Sequence, residues 1–169
     1  MKRLAIIVSL LLAGTGAAAK SSSEHGRVHG EWSGRGDTVG QAFSACAKFS
    51  PYMNGAYLHL DYAVRYDTAG AVPNQMTESF YTFLDNGRVE GVSLDSLSNV
   101  LQLNGTYADH RMSVDWLKNG DTIGKAEWYL SADGNTLTFV RFGEMGGQFK
   151  EIGEVKMNRL PAGKSCAKQ

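Results

Sequence analysis

The chain has 169 residues, 43% hydrophobic and 20% charged, with 20 glycines and only 3 prolines, a globular composition that excludes a disordered or collagen-like chain. Seventeen Lys and Arg balance seventeen Asp and Glu, which argues against nucleic acid or another polyanionic partner. Four histidines and two distant cysteines are too few and too scattered for a zinc-ribbon or iron–sulfur framework, so no metal site and no cofactor is expected.

Lys2 and Arg3 precede the apolar run Leu4 to Ala13, and small residues from Gly14 to Ala19 lead to Lys20. This is the pattern of a secretory signal peptide, 1–19, cleaved after Ala19. The apolar run is about ten residues, half of what an ordinary transmembrane helix needs, and no later stretch approaches membrane length. No membrane span is expected. The short basic region and Ala-rich cleavage site look bacterial, which makes the expected address periplasmic or secreted. In that oxidising setting Cys46 and Cys166 are expected to pair. The bridge would tie the C-terminal tail, 161–169, to an early segment, and a closed loop of this size contributes at most roughly 4 to 5 kcal/mol.

Residues 20–27 are polar and are expected to be mobile. Residues 28–160 suit one domain, with no linker or internal repeat to divide them. Val28 to Arg35 reads as the first strand. Gln41 to Phe49 fits either a strand or a helical face, and the alternation of Phe43, Ala45, Ala47 and Phe49 favours strand. Ala56 to Tyr66 is clearest, since Leu58, Leu60, Tyr62 and Val64 alternate with Tyr57, His59, Asp61 and Arg65. Met76 to Leu84 turns through Asp85-Asn86-Gly87 into Arg88 to Leu94, and Asn-Gly is a strong hairpin signal. Val100 to Tyr107 and Arg111 to Leu117 follow, then Asn119-Gly120, Thr122 to Leu130, Asp133-Gly134 and Thr136 to Phe142. Phe149 to Leu160 closes the series, with Phe149, Val155 and Met157 on one parity.

Consecutive strands joined by short turns suit an antiparallel meander and not a parallel sheet, which needs long crossovers. Closure would remove the exposed edges. The predicted fold is therefore all-β, a single up-and-down antiparallel β-barrel of eight to ten strands, a size at which the lumen can hold one small ligand.

Gly30-Glu31-Trp32 at the head of the first strand resembles the Gly-x-Trp signature of lipocalins and their calycin relatives. There the Trp closes the barrel floor and a late Arg commonly packs near it, a part that Arg159 matches here. From Gly30 to Leu160 the order of features also resembles a family of bacterial lipocalin-like proteins of unknown function. The stretches that carry the likeness are Gly30-Glu31-Trp32-Ser33-Gly34, Leu84-Asp85-Asn86-Gly87-Arg88-Val89 and Leu94-Asp95-Ser96. The resemblance implies a β-barrel and brings no activity and no site residues.

Catalytic constellations are weak. His59 shares a polar face with Tyr57, Asp61 and Arg65, which is read as an outer, solvated face; a haem reading of His59 has no second feature behind it. Ser96 beside Asp95 lies in a Ser-rich turn without a nucleophile elbow. Glu151 and Glu154 are expected on opposite strand faces, unlike a glycosidase pair. No catalytic residue is assigned, and an enzyme is the less favoured reading. Aromatic residues are numerous enough that several of Trp32, Tyr62, Phe80, Phe83, Trp116, Trp128, Phe139, Phe142 and Phe149 must line the interior. The candidate lumen-lining, ligand-binding residues are Trp32, Leu58, Leu60, Tyr62, Phe80, Trp116, Trp128 and Arg159. The function expected is an exported carrier or binder of a small apolar molecule. The alternative is a periplasmic inhibitor or protein-interaction module acting through rim loops such as 67–74 or 143–148. A third reading is a barrel enzyme acting through His59 or Asp95-Ser96.

Overall fold

The structure, a computed structural model, describes residues 25–67 and 74–166. The signal-peptide reading of 1–19 therefore lies outside the described residues, as does most of the 67–74 loop. Ten strands make up the domain: β1 (Gly30–Thr38), β2 (Gln41–Tyr52), β3 (Tyr57–Tyr66), β4 (Gln75–Phe83), β5 (Arg88–Asp95), β6 (Val100–Ala108), β7 (Arg111–Lys118), β8 (Asp121–Leu130), β9 (Thr136–Glu144) and β10 (Phe149–Arg159). Each pairs antiparallel with its sequence neighbours, and β10 pairs with β1 from Trp32↔Arg159 to Thr38↔Gly153 to close the barrel. The up-and-down barrel is thus present with ten strands, and Gln41 to Phe49 is strand. The helix among the described residues is one 3-10 turn, His25–Val28; most of the lead-in 20–27 lies outside the described residues.

Alternation places the core. Along β3, Leu58, Leu60, Tyr62, Val64 and Tyr66 are buried while Tyr57, His59, Asp61, Ala63 and Arg65 are not, and the same period repeats in β2 and β8. The interior of the barrel is the hydrophobic core of the molecule. Tight turns follow their sequence signals: Asn119 and Gly120 both have positive φ, 56° and 91°, as a two-residue hairpin of the right twist requires.

Two bulges break the period. In β10 the register slips between Glu151 and Gly153, so one extra residue, Ile152, reverses the faces. Phe149 therefore lies outside the barrel under Lys125 Nζ, 5.2 Å from its ring centre, although Val155 and Met157 of the same numerical parity are inside. For the same reason Glu151 and Glu154, expected on opposite faces, both point outward; the ladder pairs Glu151 with Phe142 and Glu154 with Val140. The second bulge is Ile123 of β8, left unpaired opposite Trp116 and Leu117 of β7.

Cys46 and Cys166 form the expected disulfide, with Cα atoms 5.9 Å apart. The tail also donates the Cys166 backbone N–H to Glu31 Oε2 at 2.9 Å. It is strapped against the outside of β1 and β2.

Candidate functional site

The two ends of the barrel differ. At the end where β1 begins and β10 finishes, Trp32 is fully buried and its indole N–H donates to the Val28 carbonyl at 2.9 Å. The guanidinium of Arg159 lies 4.1 Å from the Trp32 ring centre and donates to three backbone carbonyls, those of Arg27, His29 and Gly134. Burial, then the charge of Arg27, holds this guanidinium below its ordinary pKa. Arg159 is thus a clamp that fastens the 3-10 turn across the barrel end, with each of its three guanidinium nitrogens donating. The expectation that it lines the lumen as a ligand contact is corrected on that ground. The His25 ring stacks on Phe83 at 4.3 Å and completes the plug. Beneath it, Leu58, Phe49, Met112, Leu137 and Trp128 border a cavity of about 30 Å³, room for about one water.

The middle of the lumen is aromatic. Trp128 stacks on Phe139 with ring centres 4.0 Å apart, and Phe49 and Tyr62 meet Trp128 edge-on. Leu58, Leu60, Tyr62 and Trp128, named from the sequence, all face inward and are buried. Ser79 donates to Ser93 at 2.9 Å inside this apolar shell. Burial pushes the Tyr81 phenol up to about 12, against its hydrogen bonds with Ser79 and Trp128, so it stays neutral.

At the opposite end, Trp116 and Arg141 face the lumen and are only half-buried. The guanidinium carbon of Arg141 sits 5.5 Å from the Trp116 ring centre. Gly124, paired with Trp116 across the β7–β8 ladder, explains the ring's seat: a Cβ there would come within 2.9 Å of the indole edge. Arg141 itself pairs with Ala126 on one side and Gly153 on the other, small neighbours that leave the guanidinium room inside the barrel. Its Nε is buried without a hydrogen-bond partner, and among the described residues no carboxylate forms an ion pair with it. Tyr62 Oη is likewise buried and unpartnered. Burial drives the Tyr62 phenol strongly upward, and the nearby Arg141 charge pulls it partly back. Sequence reasoning passed over Arg141. The signal was present: Leu137, Phe139 and Arg141 share one parity, which puts an arginine on the apolar face of β9.

Phe80 is corrected outright. It lies on the outer face of β4, stacked on His59 at 4.8 Å and tilted against Tyr52 at 5.2 Å, while its neighbours Ser79 and Tyr81 are buried inside. His59 shares that outer cluster, which removes it from the lumen and from any haem or proton-relay role there. Asp95 and Ser96 build the β5–β6 turn. Asp95 Oδ1 accepts the backbone N–H groups of Leu97 and Asn99, both at 2.9 Å, and Ser96 Oγ accepts that of Met76 at 3.1 Å. Asp95 is committed to the turn, and its charge does not activate a nucleophile. Outside the barrel near the β1–β2 and β9–β10 turns runs a shallow groove of about 750 Å³, lined by Arg35, Asp37, Val39, Met145, Ile152 and Glu154. No group of three metal-ligating side chains occurs among the described residues, and no helix of the structure is long and apolar enough to cross a membrane.

No family model matches the chain, and no curated protein does. Among solved structures the chain is similar to the crystal structure of Rv2717c from M. tuberculosis, with a TM-score of 0.61 at 12% sequence identity over 85% of this chain and 99% of that one. At that identity the likeness is one of fold, and it places the chain among closed antiparallel β-barrels.

Proposed function

We propose that this protein is an exported, lipocalin-like barrel that binds a small, mainly apolar molecule in its lumen. The observation that carries the reading is the asymmetry of the barrel: one end is sealed by Trp32, Arg159 and the 3-10 turn, while at the other the inward-facing Trp116 and Arg141 are only partly buried above an aromatic interior. A ligand enters past Trp116, and its apolar part lies toward Tyr62, Phe139 and Trp128 as side chains at that end shift aside. Export, with cleavage after Ala19 and the barrel occupying 28–160, agrees with the Cys46–Cys166 bridge. Native mass spectrometry of protein purified from its own host, followed by extraction, should reveal a bound molecule. A ligand-free protein that also fails to bind a panel of fatty acids, isoprenoids and haem overturns this reading.

A second reading, a protein-interaction or inhibitor module acting through the rim, is favoured by the outer groove. Its turn-tip residues Val39 and Met145 are 78% and 51% exposed and give the groove an apolar lip for a partner to cover. The variant Val39→Asp/Met145→Asp should abolish partner binding and spare ligand binding if the rim is the working surface.

A further inference from the structure

Resting on the lumen-binding reading above, we propose that the ligand carries a carboxylate, which lodges between the Arg141 guanidinium and Tyr62 Oη, with its apolar part directed into the barrel. Both groups are buried at the relevant atom and both lack a partner, whereas Ser79 and Ser93 elsewhere in the lumen satisfy each other. Buried polar atoms are nearly always paired, and each exception calls for a cause. Four such atoms occur among the described residues, and two lie apart: His59 Nε2 belongs to the outer cluster and His110 Nδ1 to the sealed end. Tyr62, whose ring centre lies 5.2 Å from that of Phe139, and Arg141, the next inward residue of β9, are neighbours, and the Arg141 charge acts on the Tyr62 phenol.

Their chemistry selects the ligand class. Arg141 has donors only, and Tyr62, kept protonated by burial, offers its O–H. Two donors with no acceptor between them suit an acceptor-only group. One buried positive charge matches one negative charge, which a carboxylate supplies and a phosphate dianion exceeds. Of the lysines of β8 and β10, Lys125 pairs with Asp115 at 3.4 Å and Lys156 with Glu154 at 3.2 Å outside the barrel, while Lys150, opposite Gly143 on the inner side of the ladder, is exposed at the rim. Trp116, seated on Gly124, holds the guanidinium through its ring face, an arrangement that orients Arg141 without consuming its N–H donors. Nothing in this pair favours a metal ion, which needs acceptors.

The test compares acids with their neutral analogues by calorimetric titration at pH 7.5: dodecanoate against 1-dodecanol, and 2-naphthoate against 2-naphthalenemethanol, so that two tail shapes are covered. The wild-type protein should bind at least one acid tighter than its alcohol by roughly tenfold or more, the range of a charge-assisted hydrogen bond. Arg141→Met and Tyr62→Phe should each erase most of that preference while leaving alcohol affinity within about twofold. Each variant removes a buried polar group without a partner, so thermal melting should show both folded at least as stably as the wild type. Equal binding of acid and alcohol, or a preference that survives both variants, overturns the carboxylate site and leaves the lumen reading standing. If neither the acids nor the alcohols bind, the lumen reading falls and the carboxylate site falls with it.

Discussion

The barrel contains the same side-chain pair twice, an arginine over a tryptophan, once at each end. Over Trp32, Arg159 spends its donors on three backbone carbonyls; over Trp116, Arg141 keeps a buried Nε with nothing to donate to. The aromatic contact is the same in kind, so the difference lies in what the remaining N–H groups find. A guanidinium with all three nitrogens engaged is a structural rivet. One with a buried nitrogen unpaired costs stability in the ligand-free protein, because a buried polar group without a partner forfeits about 1 to 3 kcal/mol. Stability and function are thus divided between the two ends, and the division can be broken or sharpened by experiment.

The largest effect should come from the strap beside the sealed end. Replacing Cys46 and Cys166 by serine should lower unfolding free energy by roughly 4 to 5 kcal/mol, an upper figure from loop closure, read from denaturant midpoints. Alkylation should detect two thiols only after reduction. Next, Trp32→Ala should cost about 4 kcal/mol, because a fully buried indole leaves a cavity. Trp116→Ala, at the half-open end, should cost about 1 kcal/mol. Equal losses would erase the contrast between the ends.

The arginines should separate further. Arg159→Met removes three charge-assisted hydrogen bonds to backbone carbonyls and should cost about 2 to 3 kcal/mol, whereas Arg141→Met should leave stability unchanged or raise it by up to about 1 kcal/mol. A large loss at Arg141 would mean that it is a second rivet. The smallest effect is one of pH. All four histidines, His25, His29, His59 and His110, lie in the half of the barrel nearest the plug. Burial, aided by the charge of Arg159, holds the His29 imidazole below its ordinary 6.5. A depressed folded value means that His29 contributes stability fully above pH 6.5 and loses it as pH falls through the folded value. Unfolding midpoints measured downward from pH 7 should fall in the wild type and fall less in His29→Gln.

The fold was legible because β3, β2 and β8 alternate cleanly and the turns carry Asn-Gly and Asp-Gly. The disulfide was legible from there being only two cysteines. What escaped was local. Met76 to Leu84 has apolar residues on both faces, so period two could not tell Phe80, outside, from Tyr81, inside. The bulge at Ile152 reverses parity in β10 and sent Phe149 to the wrong side. Arg159 was rightly matched to Trp32 through the resemblance, but its three carbonyl partners come from 27, 29 and 134, distant stretches that only folding brings together. Arg141 could have been found from its parity with Leu137 and Phe139. It was overlooked because an arginine in a strand is ordinarily taken as outward.

One consequence follows from the closure of β10 on β1. Ten is an even number, so the chain leaves the barrel at the end where it entered, and that is the sealed end. A fusion partner, a surface linker or a labelling tag attached ahead of His25 or after Cys166 hangs from the same pole. Immobilised by either terminus, the molecule presents its half-open pole to the solution, which fixes how it should be mounted on a sensor chip and from which side a bulky ligand would have to approach.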